Sequence, residues 1–213
     1  MNDINSSDHN VMLKLTLPTI EICAARDVRR KITLSRLPLR QRITSVLSFE
    51  NPGYEYAALR HPAATLTKKY GFAPRLPANS GITHSIMHFH DSNAPRAYQP
   101  ATARHLLAVT NFAIDHAYRS PDAKLLLHCG WGVSRSTAAT LFVLAGFDQA
   151  KNGVCNPEAC VRQLLKIRPQ AAPDMHIVRM ADKSLGLRQA LVKAVETNPQ
   201  IKHNTERHRR LTY

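Results

Sequence analysis

Leu125-Leu126-Leu127-His128 is a strand-length run whose first three residues are all leucine, and no other feature constrains the fold as tightly. Side chains on a strand alternate between its two faces, so leucine at successive positions requires burial on both sides. That setting is the interior of a parallel sheet covered by helices. Cys129-Gly130-Trp131-Gly132-Val133-Ser134 follows directly, and from Arg135 to about residue 147 the chain is mostly small or apolar and reads as a buried helix. Strand, short glycine-bearing loop and helix thus form one unit.

Further strands are predicted over residues 19–25 (TIEICAA), 45–49 and 83–89, each short and apolar or alternating. Residues 100–118 carry Leu106, Leu107, Val109, Phe112, Ala113, Ile114 and Ala117 on a helical spacing, with Pro100 near the start. Asn156-Pro157-Glu158 supplies a cap, a first-turn proline and a first-turn acid for a helix ending near Ile167. A last helix is expected from about Met175 to Val195, with a break at Gly186. Strands alternating with helices define an α/β single domain with a central, mainly parallel sheet of four to five strands flanked by helices. The domain is expected over residues 11–197, between a disordered N-terminus (1–10) and a basic mobile C-terminal tail (198–213). Residues 51–80, rich in Pro and Gly, read as irregular.

A chain of 213 residues can bury one core without disulfides or structural metal. No run approaches the ~18 apolar residues of a membrane span, so integral membrane association is not expected. The start of the chain lacks the charged n-region of a signal peptide. Four cysteines, at 23, 129, 155 and 160, show no CxxC spacing and are too sparse for an extracellular scaffold, so a cytoplasmic location is expected. Lys and Arg outnumber Asp and Glu by 29 to 15, a net charge of +14 that favours anionic partners of many kinds.

In a tight loop between strand and helix, successive backbone N–H groups can converge on one anion. Gly130 and Gly132 suit that geometry, since glycine tolerates positive φ and close backbone approach. The helix N-terminus and Arg135 favour a thiolate at Cys129, and Arg135 can hold two phosphate oxygens at once. Gly130, Trp131, Gly132, Val133, Ser134 and Arg135 are therefore the candidate phosphate-binding residues around a nucleophilic Cys129.

His128-Cys129, five residues, then Arg135-Ser136 resembles the signature loop of the protein tyrosine phosphatase superfamily, and the Gly-Val-Ser-Arg-Ser spelling is most similar to its small dual-specificity and bacterial branches. Arg168-Pro169…Pro173-Asp174 is similar to the Arg-Pro…Pro-Asn segment of that branch, with Asp in place of the usual Asn. The resemblance spans roughly residues 80–190. It implies that Cys129 attacks phosphorus to form a phosphocysteine, with no metal or other cofactor. It implies too that His128 orients the loop and that Ser136 stabilises the departing sulfur.

The resemblance also calls for an Asp on a separate loop as general acid. Asp91 follows a predicted strand and would emerge at the same carboxyl edge as Cys129, where open α/β sheets hold ligands. Asp122 precedes the Leu125 strand and falls at the opposite edge, about 20 Å away. Asp148 lies beyond a helix of about 13 residues, again near 20 Å, and Asp115 sits on a predicted helix.

His84, His88, His90 and Asp91 form a competing constellation, because His88 and His90 share a strand face at a spacing that metal-dependent hydrolases use. No complementary carboxylate and histidine set accompanies them. A non-catalytic reading is a phosphate-binding or nucleic-acid-binding module using Arg29, Arg30, Lys31, Arg36, Arg40 and Arg42, but no aromatic stacking platform accompanies these residues. The loop contains no lysine of the kind associated with inositol-lipid substrates. The resemblance therefore implies phosphotyrosine in a protein, extending to phosphoserine and phosphothreonine, as the expected substrate, with inositol phosphates or RNA 5′-phosphates as alternatives.

Overall fold

The structure, a computed structural model, describes residues 16–32, 38, 41–52, 76, 80–92 and 99–212. The expectations for residues 1–10 and for most of 51–80, like Arg36 and Arg40, lie outside the described residues.

Four strands form one sheet: β1 (Thr19–Ala24), β2 (Ile43–Glu50), β3 (Thr83–His88) and β4 (Lys124–Cys129), in the order β1-β4-β2-β3. Every pairing is parallel. β4 has a neighbour on each side, and Leu125, Leu126 and Leu127 are all fully buried. Leu125 and Leu127 join the larger core, which α2 (Ala103–Arg119) and α3 (Arg135–Asn152) help to build. Leu126 points the other way, into a smaller cluster with Cys23, Val28, Ile43 and Val46, to which the short helix α1 (Val28–Ile32) contributes Val28. The unbroken leucine run therefore reflects two unequal cores on the two faces of one strand.

The remaining helices are α4 (Pro157–Ile167), α5 (Met175–Ser184), α6 (Ala190–Thr197) and α7 (Pro199–Thr212). Asn156 caps α4 by accepting from the Ala159 N–H, and Gly186, at positive φ, falls in the break between α5 and α6. The segment expected as a mobile tail is instead helical in α7. Asn198 accepts from the Ile201 N–H to start it, Ile201 is buried, and the Gln200 and Asn204 side-chain amides donate to the Pro169 and Ala171 carbonyls. One apolar anchor and two amides hold this helix, which is why its polar composition concealed it.

Because the strands run parallel, Ala24, Glu50, His88 and Cys129 all finish at one edge of the sheet. The chain leaving β3 and the chain leaving β4 meet there.

Candidate active site

The loop from Cys129 to Ser134 is held by its carbonyls. Gly130 O accepts from the Ala25 N–H, Trp131 O and Gly132 O accept from the Arg168 guanidinium, and Val133 O accepts from the Ala172 N–H. Ser134 O accepts from Ala138 N–H and from the Thr137 hydroxyl. In a trans peptide the N–H opposes the C=O. With the carbonyls of 130–134 turned outward to this frame, the N–H groups of 131–135 face the inside of the loop. None of those N–H groups donates to a backbone carbonyl among the described residues. A loop of this form at the N-terminus of α3 can hold an anion.

Gly132 shows why the residue type matters. Its φ is +64°, and a Cβ there would lie 2.3 Å from the Cys23 carbonyl oxygen. The loop therefore lies directly against the end of β1, and only glycine fits.

Cys129 Sγ lies 3.3 Å from Ser136 Oγ, so a hydroxyl reaches the sulfur from the first turn of α3. The Arg135 guanidinium, buried, donates through Nη1 to the Phe89 carbonyl at 2.7 Å, and its Nε lies 4.0 Å from Asp91 Oδ2. Nε of Arg135 and Oγ of Ser134 are buried without hydrogen-bond partners among the described residues. Both belong to the loop, and an oxyanion seated in it is a fitting partner for each. Asp91 is thus brought beside Arg135, at the edge where Cys129 lies. Asp122 precedes β4 at the far edge, and Asp115 pairs with Arg119 along α2.

The loop that carries Asp91 is tied from three directions. Phe89 N–H donates to Glu50 O, His90 N–H donates to Gln99 O, and Ser92 N–H donates to Asp174 Oδ2 at 2.7 Å. Asp174 also caps α5, its Oδ1 accepting from the N–H groups of His176 and Ile177. Burial, and then the charge of Asp91, push the Asp174 carboxyl above its ordinary range, against the pull of the N–H donors. Asp174 thus joins α5 to the loop that carries Asp91. Burial and the charge of Arg135 both lower the His90 pKa. A neutral ring agrees with Nδ1 accepting from the Gln99 N–H at 3.1 Å. α7 brings His208 within the electrostatic reach of Asp91, whose charge opposes the lowering of its pKa by burial.

His128 is fully buried, with Nε2 2.6 Å from Ser48 Oγ, which lies 2.7 Å from His84 Nε2. Ser48 stands opposite His128 in the β2–β4 register, so knowledge of the strand order would have found this pair. Arg168, quoted in the sequence only as part of an Arg-Pro segment, is the residue that clamps two loop carbonyls. Burial lowers its pKa, while the nearby thiols of Cys23 and Cys129 act to raise it. Trp131 is 53% exposed, so its indole is not a core anchor. The competing histidine constellation is dispersed: His84 bonds Ser48, His88 lies 3.6 Å from Glu50, and His90 bonds Gln99.

No family model and no curated protein matches this chain. Solved structures do. One is DUSP15, with a TM-score of 0.51, 18% identity and coverage of 87% of this chain and 97% of that one. Human DUSP28 aligns at a TM-score of 0.49, 18% identity and 81% and 95% coverage. PTPMT1 in complex with PI(5)P aligns at 0.47, 19% identity and 81% and 95% coverage. The chain shares the fold of DUSP15 over 87% of its length.

Proposed function

We propose that this chain is a cysteine-dependent phosphomonoester hydrolase acting on phosphotyrosine in proteins, and on phosphoserine and phosphothreonine where the pocket admits them. The observation that carries the reading is the loop at the N-terminus of α3 whose carbonyls from 130 to 134 are all engaged by donors, with Ser136 Oγ 3.3 Å from the Cys129 sulfur and Arg135 beside Asp91.

In the first step the Cys129 thiolate attacks phosphorus in line with the leaving oxygen, and the P–O bond breaks as the S–P bond forms. The charge on the equatorial oxygens is spread over the loop N–H groups and the Arg135 fork. Asp91 passes its proton to the departing phenolate or alkoxide. In the second step water attacks the phosphocysteine, Asp91 takes the water proton, and the sulfur leaves as a thiolate steadied by the Ser136 hydroxyl. His128, held by Ser48, orients the backbone of the loop. No step calls for a metal or other cofactor.

A second reading is favoured by the cations at the mouth. Arg26 is exposed and lies close enough to Arg168 to oppose its charge, so polyanionic esters such as inositol phosphates or RNA 5′-phosphates also suit the site. The discriminating experiment compares kcat/KM on phosphotyrosine, phosphoserine and phosphothreonine peptides, inositol phosphates and 5′-phosphorylated RNA, all in excess chelator. A preference for the tyrosine peptide supports the first reading; a preference for the polyanions replaces it with the second. Cys129→Ser is expected to reduce turnover by more than about 10⁴-fold while phosphate or vanadate still binds. Unchanged turnover in that variant would refute the mechanism.

A further inference from the structure

Away from this site, the end of α3 and the start of α4 bring together three potential metal ligands that the phosphatase reading does not use. Cys155 and Cys160 are both buried, with their sulfurs 4.0 Å apart, and Cys160 Sγ lies 4.0 Å from Asp148 Oδ2. One ligand atom from each of the three lies within 4.8 Å of the others, the one such group among the described residues. Asp148 is 13 residues along α3 from Arg135, roughly 20 Å from the loop at ~1.5 Å per residue.

The dimensions decide which chemistry fits. A tetrahedral zinc ion with Zn–S of about 2.3 Å and Zn–O of about 2.0 Å sets its ligand atoms about 3.8 Å (S to S) and about 3.5 Å (S to O) apart. The two sulfur edges given need to shorten by about 0.2 and 0.5 Å on that scale, and the third, Cys155 to Asp148, within 4.8 Å, by at most about 1.3 Å. A disulfide would need the sulfurs to close by about 2 Å. The carboxylate is also pre-oriented: Asn152 Nδ2 donates to Oδ1 at 2.7 Å, and the Asn156 N–H donates to Oδ2 at 2.6 Å. Such outer bonds fix a ligand's direction and leave a lone pair for an ion. A cavity of about 420 Å³, lined by Leu144, Phe147, Asp148, Cys160 and Gln163, reaches the same place and offers an entry path and room for a fourth ligand.

We propose that Asp148, Cys155 and Cys160 form a zinc site with three protein ligands and water in the fourth position, fastening the α3–α4 turn. Entry of the ion releases the two thiol protons to solvent and forms two Zn–S bonds and one Zn–O bond. The site is independent of the phosphatase reading and stands or falls on its own measurement.

The test uses the untagged, reduced full chain carrying Cys129→Ser, which removes the loop thiol from the count. Titration with Co²⁺ is expected to give one ion per chain, with a thiolate-to-cobalt charge-transfer band and the intense visible bands of a tetrahedral site, all bleached by Zn²⁺. Zinc is also expected to raise the melting temperature, since it binds the folded form. Asp148→Asn should weaken uptake at least about tenfold, and Cys155→Ser or Cys160→Ser should diminish the charge-transfer band. Circular dichroism of the metal-free variants checks folding, and the Asp148 variant alone decides the matter if the buried cysteine variants do not fold. The absence of any cobalt band, or uptake undiminished in Asp148→Asn, overturns the site. A Cys155–Cys160 disulfide in the isolated protein, with no cobalt band after reduction, replaces it with a redox pair.

Discussion

The two loops that meet at the carboxyl edge of the sheet are built differently. The cradle after β4 is one contiguous stretch, and each of its carbonyls from Gly130 to Ser134 has a donor in the surrounding frame. The Asp91 loop after β3 is held in part by two side chains, Arg135 donating to Phe89 O across 46 residues and Asp174 accepting from Ser92 N–H across 82. A cradle that must match a tetrahedral anion gains from fixed geometry, because preorganised donors do not have to reorient as charge develops. A proton donor needs only to reach the leaving group. On the proposed mechanism, shape matters in one loop and position in the other.

Substitutions in the two loops should fail in different ways. Asp91→Asn removes the proposed proton donor and leaves the cradle whole. Turnover of phosphotyrosine peptide is expected to fall by about 10²–10⁴-fold with vanadate affinity unchanged, and aryl phosphates with good leaving groups should lose least. Equal losses on good and poor leaving groups would remove Asp91 from its role. Gly132→Ala attacks the cradle, because the new methyl meets the Cys23 carbonyl at 2.3 Å on a backbone of positive φ. A displacement of the donors by about 1 Å is expected to cost on the order of 10²-fold in turnover and to weaken vanadate binding in parallel, and stability should fall by about 2–3 kcal/mol. Arg168→Lys keeps a charge but loses the fork that spans Trp131 O and Gly132 O. A loss of about tenfold is expected, again in turnover and vanadate affinity together; an effect on turnover alone would place Arg168 on the acid side of the comparison.

The same difference explains what the sequence revealed. The leucine run, the two glycines, Cys129 and Arg135 are neighbours in the chain, so their placement in one strand, loop and helix could be read without knowing the fold. Asp91 needed one structural step, the parallel direction of the strand before it. Ser48 and His84 behind His128, Phe89 O on Arg135 and Arg168 on the loop needed strand order and register, which periodicity does not carry. α7 was misread because helices are sought by their apolar stripe. This one is held by Ile201 and by amides that bond carbonyls of the 169–171 segment. Trp131 drew notice as the single tryptophan of the chain, and its partial exposure could not have been inferred from composition.

The smallest effect concerns the far edge of the sheet, and it keeps the pH dependence of the two loops from being confused with that of the fold. His116 on α2 is buried, with Nδ1 2.8 Å from Ser45 Oγ and Nε2 3.4 Å from the Ala123 carbonyl. Burial is the largest influence on it and lowers its pKa, outweighing the Ala123 carbonyl and Asp115, which raise it. A base with a folded pKa below its unfolded one is protonated first in the unfolded chain. Its contribution to stability is therefore full above the ordinary histidine value, near 6.5, and is lost as pH falls through the folded value. The melting temperature should thus hold steady from pH 8 to about 7 and fall below about 6.5, before the bulk of the carboxylates titrate. His116→Gln, which can still bond Ser45 and Ala123, should flatten that slope with little change in turnover at pH 7. If the slope persists in His116→Gln, the fold's acid sensitivity lies at another buried group, and the partly buried His105, lowered by burial as well, is the next to replace.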